Sequence, residues 1–140
     1  MLLDTETLFS ENQKITTAAA STNVVKMAST EHKMTEVSFG EPIPLLIQVV
    51  EDFAGAAKVQ VDVQTAADEA FTTPKTLASA TLETANLKAG SKFPIIHIPK
   101  GNLGYMRLYY TPTAEASKTI TAGAITAGVV AAHDHSFQDM

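Results

Sequence analysis

His133, Asp134 and His135 come closest in this sequence to a metal-ligand spacing. Histidines at i and i+2 project to one side of an extended chain and could chelate a divalent cation. A catalytic zinc also needs a third protein ligand, and none is evident, so the triplet reads as a solvated polar tail with no tight metal site. His97 lies between Ile96 and Ile98. A histidine that activates a nucleophile needs that nucleophile and an orienting carboxylate, and the chain carries no Gly-x-Ser-x-Gly turn. His97 therefore reads as a strand residue. Asp68-Glu69 and Glu51-Asp52 offer paired carboxylates for acid–base work, but neighbours in turn segments serve mainly to solvate the turn. The glycines are scattered singly and form no phosphate-cradling loop. The expectation is a protein with no catalytic residues, no metal and no cofactor.

Tyr105, Arg107 and Tyr109 alternate along one segment and share a face in an extended chain. Tyrosine and arginine offer large, stiff contact area with a polar end, which suits a protein–protein interface. A cross-strand ladder on a half-exposed sheet would use the same residues. The interface is the reading adopted for these three.

The composition narrows the partners. The chain has 140 residues, the size of one domain, and no cysteine, so packing and strand pairing must hold it together. Cysteine-free composition also fits a cytosolic origin. Net charge is −5, and one arginine stands beside nine scattered lysines, which argues against a phosphate-binding face and against nucleic acid as a partner. Charged residues make up 18% of the chain, below the usual ~25%, as expected if neighbours cover part of the surface. No apolar run approaches the ~20 residues that span a bilayer, and Met1-Leu2-Leu3-Asp4-Thr5-Glu6 lacks the basic start of a signal peptide, so neither a membrane nor that export route is expected.

The elements that must position these residues alternate with a period of two. In Lys58–Gln64, Val59, Val61 and Val63 point one way and the polar residues the other. Ile43–Glu51 is a continuous apolar run, read as a central strand covered on both faces. Asp52–Ala56 reads as the turn of an antiparallel hairpin between the two. Further strands are expected at Ser21–Met27, Thr76–Leu82, Phe93–Ile98 (with Pro94 at an edge) and Gly104–Thr111, where Met106, Leu108 and Tyr110 form the buried face. Pro99–Asn102 is a turn by composition. In Thr119–Val130 the sequence Ile-Thr-Ala-Gly occurs at Ile120 and again at Ile125. The odd offset calls for a bulge near Gly123 if both isoleucines are to face the core. The segment 28–39 reads as a polar loop in which Glu31–Val37 could form a helical turn. The whole predicts an arm over 1–20, an all-β sandwich of about seven or eight short antiparallel strands over 21–130, and a polar tail over 131–140.

Asp4–Gln13, Ala20–Val24, Gly40-Glu41-Pro42, Val63–Pro74, Thr76-Leu77, Tyr105–Tyr110 and Thr121–Gly128 together resemble the small capsid cement proteins of short-tailed bacteriophages, the Bordetella-phage type. The likeness runs from about Asp4 to Val130. It implies a jelly-roll-like domain made in the host cytoplasm and carried on the virion. There it would sit on the outer face of an icosahedral capsid, bind the major capsid protein and stabilise the shell. It also implies a homodimer, with a trimer as the alternative. Tyr105, Arg107 and Tyr109 are the expected anchors, and Leu3, Leu8 and Phe9 in the arm a second, more flexible contact. A phage tail or receptor-binding β-module is the competing reading. A carbohydrate module is disfavoured, because no tryptophan and only three tyrosines are present to stack on sugars.

Overall fold

The computed structural model describes residues 3–26 and 43–130. Among these residues the strands are β1 (Leu3–Lys14), β2 (Ala19–Ala20), β3 (Val25–Lys26), β4 (Leu45–Ala54), β5 (Ala56–Ala66), β6 (Lys75–Glu83), β7 (Tyr105–Ala114) and β8 (Ala122–Val130), with a 3-10 turn at Thr84–Asn86. They form two antiparallel sheets. One runs β1-β8-β4; the other runs β7-β5-β6, with β2 and β3 both on the far side of β7. Residues 87–98 extend the first sheet beyond β4 as an irregular fourth member. Their backbone bonds β4 through Phe53 N to Leu87 O, Val49 N to Ser91 O, Phe93 N to Ile47 O and Leu45 N to Ile96 O. Two four-membered layers with this interleaved order make a jelly roll.

Alternation builds the core between the layers. Val59, Val61 and Val63 of β5 face inward, as do Met106, Leu108 and Tyr110 of β7, and they meet Leu45, Ile47, Val49 and Ile125 from the other sheet. The outer faces of β5 and β7 stay half exposed.

The structure corrects four expectations. Residues 3–14 are not an arm but the strand β1, paired to β8 from Leu3↔Val130 to Lys14↔Ala124. The ladder of β1 shifts register three times, and that irregularity hid it from a period-two reading. Next, β4 and β5 are not a hairpin: β4 pairs with β8, and β5 pairs with β6 and β7. Between them the chain turns at Gly55 (φ +85°) and changes sheets. Phe93–Ile98 is no regular strand: its one bridge is His97 to Pro44, just before β4, with a second at neighbouring Lys92 to Gln48, and Pro94 can supply no donor to a ladder. Finally, Ser21–Lys26 contributes only two strand residues, Val25 and Lys26, with Met27 outside the described residues. Also outside them lie 28–39, Gly40-Glu41-Pro42 and the His133-Asp134-His135 tail.

The bulge expected in the last strand near Gly123 is not there: the extra residues lie on the facing strand β4, and Ile120 precedes β8, so the two isoleucines do not share one strand's alternation. Between Val49↔Ile125 and Ala54↔Ala122, β4 spends more residues than β8. Ile120 and Ile125 are both buried.

At Gly55 an added Cβ would lie 2.2 Å from the Thr119 carbonyl oxygen, a backbone atom that cannot swing away. Together with the positive φ, this predicts that Gly55→Ala lowers stability by about 2 kcal/mol or more. Urea denaturation checks it: the midpoint should fall with an unchanged slope, and equal midpoints would contradict the sheet-changing turn.

Candidate interaction face

The outer face of β7 carries Tyr105, Arg107 and Tyr109, all half-buried and alternating with fully buried neighbours. Register across the sheet sets Tyr105 beside Ala66 and Lys26, Arg107 beside Gln64, and Tyr109 beside Asp62 and Ala20. The sheet thus brings the three expected anchors onto one surface.

Arg107 is the most constrained of them. Its Nε donates to Gln64 Oε1 at 2.9 Å. Its guanidinium lies over the Phe71 ring at 4.2 Å from the centroid, with the Tyr109 ring at 5.7 Å. Such stacking orients the planar group and contributes about 0.5–1 kcal/mol in a half-exposed setting. Phe71 is held in place by a tight turn. It is buried, with φ +52°, and its N–H donates to Asp68 O at 3.2 Å. The Asp68 carboxylate accepts from the Thr72 hydroxyl at 2.7 Å and from its N–H at 3.3 Å. The Thr72 hydroxyl first, and then its N–H, hold the Asp68 carboxyl below its ordinary value. Asp68 therefore acts as the clasp of the turn that places Phe71 under Arg107. Beyond Tyr109, Asp62 accepts from Gln60 Nε2 at 2.9 Å and from the Ser79 hydroxyl.

The ion pairs among the described residues are Lys88–Asp52 and Lys118–Glu115, so Arg107 has no carboxylate partner there. A half-buried, stacked and hydrogen-bonded guanidinium without an ion-pair partner among these residues is suited to a carboxylate or carbonyl supplied from outside.

Leu8 and Phe9, expected as flexible contacts, are core residues instead. Phe9 is fully buried and packs with the valines of β5. Leu3 begins β1 opposite Val130. Ser10, which follows Phe9 on β1, locks the two sheets together. Its buried hydroxyl donates to Gln13 Oε1 at 2.7 Å and lies 2.7 Å from Tyr110 Oη. Burial drives the Tyr110 phenol well above its ordinary value, and the bond to Ser10 offsets this only partly. A raised folded-state value means the neutral form is favoured in the fold. This contribution is complete below the unfolded value near ~10 and is lost as pH rises past it. Stability should therefore fall above about pH 10, and Tyr110→Phe should flatten that fall while lowering neutral-pH stability by roughly 1 kcal/mol. Thermal melts of both proteins across alkaline pH check this.

Gln64 and Phe71 were missed as members of this face. Gln64 becomes visible once β5 and β7 are put in register, because it is the outward residue opposite Arg107. No spacing rule points to Phe71. His97 lies in the segment along β4, away from the face, and among the described residues no cluster of three or more His, Cys, Asp or Glu could hold a metal. No described helix is long and apolar enough to cross a membrane.

Fold and face together define an all-β jelly roll with a preorganised arginine–aromatic surface. The Bbp16 family pattern matches residues 9–132, and the chain belongs to the Bbp16 family. That name has the form given to Bordetella phage proteins, consistent with a phage protein family. Comparison with curated proteins finds no match.

Proposed function

We propose that this protein is a structural component of a phage virion. It binds the outer surface of the icosahedral capsid as a homodimer and stabilises the shell by bridging neighbouring major capsid subunits. The observation that carries this reading is Arg107, clamped between Gln64, Phe71 and Tyr109 with no carboxylate partner among the described residues. Ordering an arginine before binding reduces the entropy lost on contact, as an interface anchor requires. Family membership and the resemblance to cement proteins supply the setting. Tyr105 and Tyr109 flank Arg107 and provide apolar area with polar tips. The role of the face is mechanical: a contact repeated over many copies resists separation of subunits even where each contact is modest.

Fractionation of the phage that encodes the protein tests the assignment. Virions are dissociated into heads and tails, and the protein is quantified in each. It is expected in the head fraction at a fixed ratio to the major capsid protein. Recovery with the tails would replace this reading with the tail or receptor-binding one.

A further inference from the structure

Among the described residues, β6 is the long strand whose second edge meets no other segment. β4 is covered by residues 87–98 and β7 by β2 and β3, while the free side of β1 is met by Asn23 at Leu8 and Phe9 alone, its N–H and side chain bonding Phe9 O and Leu8 O. β6 pairs only with β5, so a nine-residue edge is left open. Open edges of that length invite another strand.

We infer that the open edge of β6 is the seam of the homodimer, pairing antiparallel with β6 of a second copy about the Ala78-Ser79-Ala80 centre. This rests on the dimer included in the function proposed above. Three observations select a second copy as the occupant. First, β6 reads Lys75-Thr-Leu-Ala-Ser-Ala-Thr-Leu-Glu83, with small residues at the centre, Thr-Leu on both flanks and opposite charges at its ends. An antiparallel copy brings the Lys75 end of each strand to the Glu83 end of the other. A parallel copy would set like charges together.

Second, the edge borders an open apolar groove of about 410 Å³, lined by Ala78, Ile95, Ile96 and Pro99 among others. Ile96 is 50% exposed there. Leu82 points to the same inner face as Ala78 and Ala80, so antiparallel pairing carries the second copy's Leu82 toward this groove. The seam then buries apolar surface as well as joining backbones.

Third, Ser79 and Thr81 on the outer face are exposed and small, so nothing bulky blocks the approach. Leu77 is bulged against β5, so the seam is regular at its Ala78-Ser79-Ala80 centre and irregular at the flanking Leu77 and Thr81 positions.

The seam has a consequence for binding. It joins the two inner-to-outer orders β7-β5-β6 into one continuous sheet with both Arg107 faces on the same side. Five interstrand spacings of about 4.8 Å put the two β7 strands roughly 24 Å apart. The dimer thus presents two matched anchors to one surface, the geometry that bivalent attachment needs.

Purified full-length protein tests the seam without any capsid. The chain has no cysteine, so Ser79→Cys introduces its sole thiol. Sedimentation should show a wild-type dimer, and a short bis-maleimide should convert Ser79→Cys to a covalent dimer. Thr113→Cys, exposed on β7, should stay uncrosslinked. Ser79→Lys, which sets two like charges at the centre, should sediment as a folded monomer. If that variant does not fold, the crosslinking result decides alone. A wild-type dimer in which Ser79→Cys does not crosslink would overturn the seam and leave the dimer and shell reading standing. A wild-type monomer at all concentrations would overturn the seam and the dimer together. If Ser79→Cys then crosslinked only to capsid protein in assembled heads, the edge would belong to the shell.

Discussion

Replacing Val61 with aspartate is expected to leave little folded protein at ambient temperature. Val61 is completely buried on β5, directly opposite Ala80 on one side and Tyr110 on the other. A carboxylate there would be stripped of water with no cation to meet it, which costs several kcal/mol even after the group takes up a proton. A domain of this size has only about 5–15 kcal/mol in total, so this one change consumes much of it. Gln60→Asp, one residue away on the outer face, is expected to shift stability by under about 1 kcal/mol. Circular dichroism during urea denaturation separates the two. An aspartate variant at position 61 with an unchanged midpoint would mean that β5 does not face the core as described.

Replacing Arg107 with alanine is expected to lower capsid affinity about 30-fold, the effect of losing roughly 2 kcal/mol at an interface anchor. Isolated stability should change by no more than about 1 kcal/mol, because the group is half exposed and its internal contacts are one hydrogen bond and two ring faces. Arg107→Lys should recover only part of the affinity. Lysine keeps the charge but cannot lie flat on Phe71, donate to Gln64 and present two parallel N–H groups at once. Titration of labelled protein onto heads that lack it measures all three variants. If Arg107→Ala bound as tightly as the unaltered protein, the anchor would lie elsewhere.

Those parts of the molecule that obey a strict period of two were legible in the sequence. Val59, Val61 and Val63 declare β5, and Met106, Leu108 and Tyr110 declare β7, because one wet and one dry face impose the alternation directly. From β7 alone the interaction face could be drawn as Tyr105, Arg107 and Tyr109. Its floor could not, since Phe71 reaches Arg107 through a turn closed by Asp68 and Thr72, and no spacing encodes that closure. The assumption that adjacent strands pair produced the false β4–β5 hairpin; in a jelly roll successive strands often belong to opposite sheets, and here one glycine makes the switch. β1 was not legible as a strand: its ladder to β8 breaks register three times, and its polar residues include Ser10 and Gln13. In the fold they form the hydrogen-bonded bridge to Tyr110, so polar character there marks a satisfied interior and not a surface.

The shell contact is the central claim, and reconstitution tests it most directly. Heads assembled without this protein are mixed with the purified chain, and the bound copies and the melting temperature of the shell are measured together. Saturation at a fixed ratio to the major capsid protein, with a rise in the shell's melting temperature that Arg107→Ala fails to reproduce at equal concentration, is the predicted result. Heads that take up no protein, or take it up with no change in melting temperature, would contradict it.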